Sequence, residues 1–109
     1  MRDHRVIDER SRALGEAIAA RLVENHDLYR HARGTLERWL RTADPKVRPA
    51  LEEWRAVLSG PEEEVLRLLT SPDERAVRLR QSNPFAGVLP PGERNAILRR
   101  FARHESVPT

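Results

Sequence analysis

The sequence contains no cysteine, which excludes disulfide bonds and thiolate metal sites. It also lacks an apolar run long enough to cross a membrane. The first residues, MRDHRVIDER, have no apolar core of the kind that marks a secretory signal. These absences suit a reducing compartment, so we expect a cytoplasmic protein that does not bind a membrane.

Aromatic residues and lysine are also scarce. Two Trp, one Tyr and two Phe are few for 109 residues, so leucine, alanine and valine must supply most of one thin core, which a partner often completes. Lys46 is the single lysine among 20 basic residues, and the other 19 are arginine. Arginine binds phosphates and carboxylates with two parallel hydrogen bonds. A GC-rich coding sequence explains the same bias without any function.

Motifs of common catalytic sites are missing as well, since there is no GxxxxGK[ST], GxGxxG, HExxH or GxSxG. Glu62, Glu63 and Glu64 form an acidic cluster, but they follow a proline at a helix start, where negative charge is favourable. His26 and His31 lie five residues apart, which places them on different helix faces. We therefore predict no enzymatic activity, no metal site and no cofactor.

Apolar residues recur at spacings of three and four, which predicts helices and gives no sign of strands. The predicted helices cover about 3–24, 27–42 and 49–58 and then begin at Pro61, Pro72 and Pro91. The sequence thus predicts one all-α domain over residues 1–109. We expect a compact bundle of five to six helices, with a long N-terminal pair, short proline-initiated helices, and frayed ends at 1–4 and 105–109.

Three residues in these helices invite a specific interpretation. Trp39 and Trp54 fall on the apolar stripes of their helices, which predicts that both pack in the core. The alternative is an enzyme or a ligand-binding bundle with a pocket beside them. Gly34 lies inside the second helix, where glycine costs about 1 kcal/mol relative to alanine. It either permits a close helix contact or marks a bend.

The stretch QSNPFAGVLPPG, from Gln81 to Gly92, has no charged residue, although 34% of the sequence is charged. Its prolines break helical structure and make it a loop. Exposing Phe85, Val88 and Leu89 together would create an apolar patch of the kind that monomers avoid. Either Phe85 and Leu89 fold back onto the core, or part of the loop meets a partner protein with Phe85 as the anchor, and both can hold if Phe85 points inward and Val88 outward.

The basic residues concentrate in one part of the sequence. Residues 75–104 hold seven arginines and only Glu93 as an acid, whereas residues 1–74 hold 13 basic and 15 acidic residues. If this part contacts a protein, the predicted binding residues are Phe85, Val88, Leu89, Arg80, Arg94 and Arg99. If it follows a phosphate backbone, they are Arg75, Arg78, Gln81, Arg99, Arg100 and Arg103. A third interpretation pairs these arginines with Glu62–Glu64 and other acids on a solvated surface.

The segments LRQSNPFAGVLPPGERNAILRRF (Leu79 to Phe101) and EEWRAVLSGPEEEVLRLLTSPDERA (Glu52 to Ala76) together resemble part of a group of bacterial proteins. These proteins are short, helical and of unassigned function. They are similar in size and character to the antitoxins of toxin–antitoxin pairs, which bind and block a partner protein. The resemblance, over residues 52–101, implies a protein partner, either a toxin or a second copy of the chain, and assigns no functional residue.

We therefore expect a non-enzymatic protein–protein interaction module of the bacterial cytoplasm. A small nucleic-acid-binding regulator that uses the arginine-rich residues 75–104 is the alternative.

Overall fold

The protein is described here by a computed structural model, which covers the backbone of residues 3–85 and 87–105 and the side chains of residues 8–85 and 87–101. Within these ranges the chain forms helices and no strand. The helices are α1 (Asp3–Glu24), α2 (Asp27–Arg41), α3 (Arg48–Leu58), α4 (Glu62–Thr70), α5 (Glu74–Arg80) and α6 (Pro91–Glu105). The predicted all-α bundle is confirmed. Of the ends predicted to fray, residues 1–2 and 106–109 lie outside the described residues.

Proline marks the starts of the three later helices in different ways. Pro61 is extended and directly precedes α4, and Pro91 is the first residue of α6. Proline suits both places because the first turn of a helix needs no backbone donor there. Pro72 instead lies ahead of the cap of α5, which is Asp73. The Asp73 carboxylate accepts a hydrogen bond of 2.8 Å from the Ala76 N–H, so Asp73 rather than Pro72 initiates this helix.

The rings of Trp54 and Phe85 lie in the core of the bundle, and the half-buried ring of Tyr29 packs against Phe85. Trp54 is fully buried, and its Nε1 donates a 2.7 Å hydrogen bond to the Leu79 carbonyl. Phe85 packs edge-on against Trp54 and Tyr29, at centroid distances of 6.1 and 6.0 Å. Phe85 is 0% exposed and Leu89 is 5% exposed. The uncharged loop therefore folds back onto the core, as one of its two interpretations predicts.

α1 contacts helices from both the earlier and the later part of the chain. α1 packs mainly against α4 and α6, while α2 packs against α3 and α4 against α5. Where α1 crosses α4, a Cβ atom placed on Gly15 would lie 1.8 Å from the Leu69 carbonyl oxygen, so only glycine fits. No atom lies within 4 Å of the corresponding position at Gly34, so Gly34 makes no close helix contact.

Candidate functional site

A cleft of about 700 Å³ opens between α1, the end of α2, the turn before α3 and the loop before α6. Such a volume lies within the usual size of binding pockets. The cleft is lined by Arg10, Ser11, Leu14, Ile18, Trp39, Thr42, Ala43, Asp44, Val47, Leu51, Arg80, Gln81, Ser82, Asn83, Leu89 and Arg94. Its surface therefore combines aliphatic and aromatic side chains with three arginines and several uncharged polar groups.

Two of the cleft residues are large apolar side chains in contact with water. Across the side chains that the structure describes, the exposed large apolar residues are Val23, Trp39 and Val47, and the last two line the cleft. Trp39 is 37% exposed, whereas Trp54 is buried. The prediction that both tryptophans pack in the core is confirmed for Trp54 and wrong for Trp39, because Trp39 borders the open cleft.

The Arg80 side chain forms a buried, positively charged part of the cleft wall. The residue is 6% exposed. Its Nε donates to Ser11 Oγ at 2.7 Å, and its Nη1 donates to the carbonyls of Leu68 and Ser71 at 2.8 and 2.7 Å. Its Nη2 is buried and has no hydrogen-bond partner within the described part of the chain. Burial lowers the pKa of Arg80, and the charge of Arg12 lowers it further, but a guanidinium stays protonated in proteins.

Two more arginines add to the positive charge around the cleft. Arg10 is half-buried and Arg94 is exposed. Of the carboxylates whose side chains the structure describes, Asp44 alone lines the cleft, and its Oδ1 accepts a 2.8 Å hydrogen bond from the backbone N–H of Lys46. With three guanidinium groups and one carboxylate, the cleft carries a net positive charge.

The other two arginines of α5, the half-buried Arg75 and the exposed Arg78, are by contrast paired with acids. Arg75 binds Glu53 at 3.1 Å and Glu64 at 2.9 Å, and Arg78 binds Glu53 at 3.0 Å. Hydrogen bonds from Arg67 and then from Arg75 lower the pKa of Glu64 to about 2. The interpretation that pairs the arginines with acids is therefore confirmed for Arg75 and Arg78.

The residues predicted for partner binding divide into two groups. Arg80, Leu89 and Arg94 come together as lining residues of the cleft. Phe85 has no exposed surface and does not line the cleft, so it cannot touch a partner unless the core opens. The remaining two lie elsewhere, with Val88 half-buried in the loop and Arg99 exposed on α6.

The residues predicted for nucleic-acid binding are also divided. Arg75 and Arg78 are engaged by acids, and Gln81 is an exposed residue of the cleft. Arg99 and Arg100 are exposed on α6 and form no ion pair with any residue whose side chain is described. The side chain of Arg103 lies outside the described residues.

A small group of titratable side chains lies at the α2–α4 contact. Glu62 Oε2 is 3.1 Å from His26 Nε2, and it accepts a 3.1 Å hydrogen bond from the Tyr29 hydroxyl. Burial and then the Glu62 carboxylate raise the pKa of Tyr29, so its phenol stays protonated at neutral pH. Since none of these residues lines the cleft, we assign the group a structural role in joining the two helices.

Sequence reasoning missed Arg10, Asp44 and Val47 as cleft residues. Val47 offered a weak signal, because an apolar residue in the proline-containing turn ADPKVRP has no stripe to join. Arg10 and Asp44 offered none, since each resembles the other charged residues of an exposed surface.

No family model matches the chain, and neither the curated proteins nor the solved structures contain a match. Over the described residues, no helix is long and apolar enough to cross a membrane, and no group of three or more His, Cys, Asp or Glu residues is placed to hold a metal ion. The candidate site therefore rests on the geometry and charge of the cleft.

Proposed function

We propose that this chain is a non-enzymatic protein–protein interaction module that binds an apolar segment of a partner protein in the cleft. The observation that carries the proposal is the exposure of Trp39 and Val47 on the same cleft. Apolar surface in contact with water is unfavourable, and covering it drives association. Tryptophan is also among the residues that contribute most to binding at protein interfaces.

The surroundings of Trp39 and Val47 support a binding role. The half-buried Leu14 and Ala43 extend the apolar surface of the cleft, so a partner side chain that enters would contact aliphatic groups beside Trp39 and Val47. Polar and charged residues accompany them, and protein interfaces commonly combine an apolar centre with a polar rim. The bacterial cytoplasm as location and an antitoxin-like role, with a toxin or a second copy as partner, are parts of this proposal that come from the sequence.

The proposal is tested by recovering the tagged chain from bacterial cytoplasm, with and without nuclease, beside the variant Trp39→Ala. We expect a stoichiometric protein partner that survives nuclease and binds the variant at least about 30-fold more weakly, the loss typical of a central tryptophan. Val23→Ser is the matched control, because Val23 is exposed but does not line the cleft. A partner that binds Trp39→Ala as tightly as the original chain would exclude the cleft as its binding site.

A partner that is a second copy needs its own measurement. Sedimentation of the purified chain would then show a dimer whose dissociation constant rises in Trp39→Ala. Thermal unfolding of each variant by circular dichroism confirms that the fold is retained.

Binding to nucleic acid is a second candidate, and the exposure of Arg94, Arg99 and Arg100 on α6 favours it. Such binding must weaken steeply as salt rises, because each phosphate contact releases a counterion. The double variant Arg99→Gln/Arg100→Gln should lower both the affinity and the salt dependence. Neutralising Arg75 and Arg78, which acids already engage, should change them less. Nucleic-acid binding that is indifferent to salt would exclude this candidate.

A further inference from the structure

The cleft holds positive charge that its own residues do not balance. Among the described residues, Arg10, Arg80 and Arg94 line it together with one carboxylate, that of Asp44. Neither Arg10 nor Arg94 forms an ion pair with the side chains that the structure describes. An apolar segment alone would bury the Trp39 side chain but would leave these cations without a counter-charge.

Arg80 contributes a positive charge to the cleft at any pH near neutrality, because a guanidinium stays protonated in proteins. Its three hydrogen bonds go to a hydroxyl and two carbonyls, which are uncharged, so no described carboxylate forms an ion pair with it, although the charges of Asp8 and Asp73 act on it without direct contact. Its Nη2 is buried and has no acceptor among the described residues. Because the group is buried, water and salt screen its field less than they would screen that of a surface arginine. An anion in the cleft would therefore be stabilised by Arg80 as well as by the two more accessible arginines.

We infer that the partner segment bound in the cleft carries a carboxylate next to its apolar side chains. This inference rests on the proposed function and specifies the chemistry of the same site. The apolar side chains contact Trp39 and Leu14, and the carboxylate lies near Arg10 and Arg94, where a guanidinium can bind it with two parallel hydrogen bonds. A segment that carries lysine at this position is repelled, so charge selects among apolar segments.

Selection of a random peptide library displayed on phage, against the full chain, tests this inference. We expect the enriched peptides to combine Leu, Phe or Trp with Asp or Glu. A synthetic peptide of an enriched sequence should lose about tenfold in affinity when its acid is replaced by the amide. It should lose a similar factor when the chain carries Arg10→Gln/Arg94→Gln.

Two single variants serve as controls: one should strengthen binding of the acidic peptide, and the other should leave it unchanged. Asp44→Asn keeps the Oδ1 acceptor for Lys46 but removes the negative charge from the cleft, so it should strengthen binding of the acidic peptide. Arg78→Gln removes a cation outside the cleft, one that Glu53 already pairs, and should leave the affinity unchanged.

The outcomes separate this inference from the function on which it rests. Enriched peptides that need Trp39 but contain no acid, or that bind Arg10→Gln/Arg94→Gln as tightly as the original chain, would overturn the inference and leave the interaction function standing. Enriched peptides that bind Trp39→Ala unchanged, or a library that yields no enrichment, would overturn the proposed binding cleft itself.

Discussion

On one side of α1, Gly15 lies against the backbone of α4, and Arg12 donates a hydrogen bond to the carbonyl of Thr70 at the end of α4. On the other side, Leu14 and Ile18 line the cleft. Both sides belong to the same amphipathic helix, so the difference comes from what lies opposite. A helix covers the first side closely, whereas turns and a loop surround the second. We therefore expect substitutions on the closed side to change stability and those of the half-buried Leu14 to change binding, whereas Ile18 is 2% exposed and contributes to the core as well.

The largest effect is expected for Gly15→Ala, which breaks the closed side. The added methyl group would lie 1.8 Å from a backbone carbonyl oxygen, which cannot rotate away as a side chain could. We expect a loss of about 3 kcal/mol or more in the free energy of unfolding, at the upper end of the usual cost of overpacking. Urea unfolding measures it. A loss below about 1 kcal/mol would show that α1 and α4 can separate easily.

Arg80→Met should have the next largest effect, because Arg80 connects the closed side to the cleft wall. The substitution retains an apolar side chain but removes the donors to Ser11 Oγ and to the carbonyls of Leu68 and Ser71. We expect a loss of about 2 kcal/mol, since hydrogen bonds from a charged donor are stronger than neutral ones. Arg78→Met is the control, and its exposed ion pair should contribute less than about 1 kcal/mol.

An Arg80→Met variant as stable as the original chain would contradict this expectation. It would mean that the free energy needed to bury the charge offsets all three hydrogen bonds.

Gly34→Ala should raise the free energy of unfolding, whereas Gly15→Ala should lower it. Gly34 is exposed inside α2, and no atom lies within 4 Å of the place where the methyl group would go. We expect a gain of about 0.5–1 kcal/mol, because alanine loses less conformational entropy than glycine on forming a helix. The same urea measurement checks it, and a destabilised variant would reveal a contact absent from the structure.

The smallest effect on stability is expected from two acids, Glu64 and Asp73, that belong to neither side of α1. Arg67 and then Arg75 lower the pKa of Glu64 to about 2, and the Ala76 N–H and then Ser71 lower that of Asp73 to about 2. A carboxylate with a lowered pKa stabilises the fold above its usual pKa, and this contribution is lost as the pH falls toward 2. Because both acids are exposed, the change in stability should be slight.

Titration of the carboxyl carbons by NMR measures both pKa values directly. Arg67→Gln should raise the pKa of Glu64 more than that of Asp73, whose largest stabilising contact comes from a backbone N–H. A Glu64 that titrates at the usual glutamate pKa would show that the ion pair is absent in solution.

The positions of the helices could be predicted from the sequence, because apolar spacing and prolines are local signals. The close helix contact could not. Gly15 and Gly34 each lie inside an amphipathic helix, and only the point at which α1 crosses α4 decides which of them meets a backbone. That point depends on residues such as Leu69, which lies far along the sequence.

The burial of Arg80 could be predicted only in part. It follows the buried Ala76 by four positions and therefore lies on the same face of α5, but a charged side chain there usually marks the edge of an apolar stripe. Its partner Ser11 is 69 residues away, so no local pattern connects them. The exposure of Trp39 could not be predicted from the sequence either, because it depends on where the turn before α3 and the loop before α6 lie.

The contacts of α1 also affect the order in which the protein folds during synthesis. The ribosome makes α1 before its main partners, α4 and α6, which belong to a later part of the chain. Until α4 emerges, Ile18 and Leu22 have few of the neighbours that bury them in the finished protein. Nascent chains that stall before α4 therefore leave apolar residues of α1 exposed, which makes them a target for chaperones, and α1 reaches its final place only after helices that are made later.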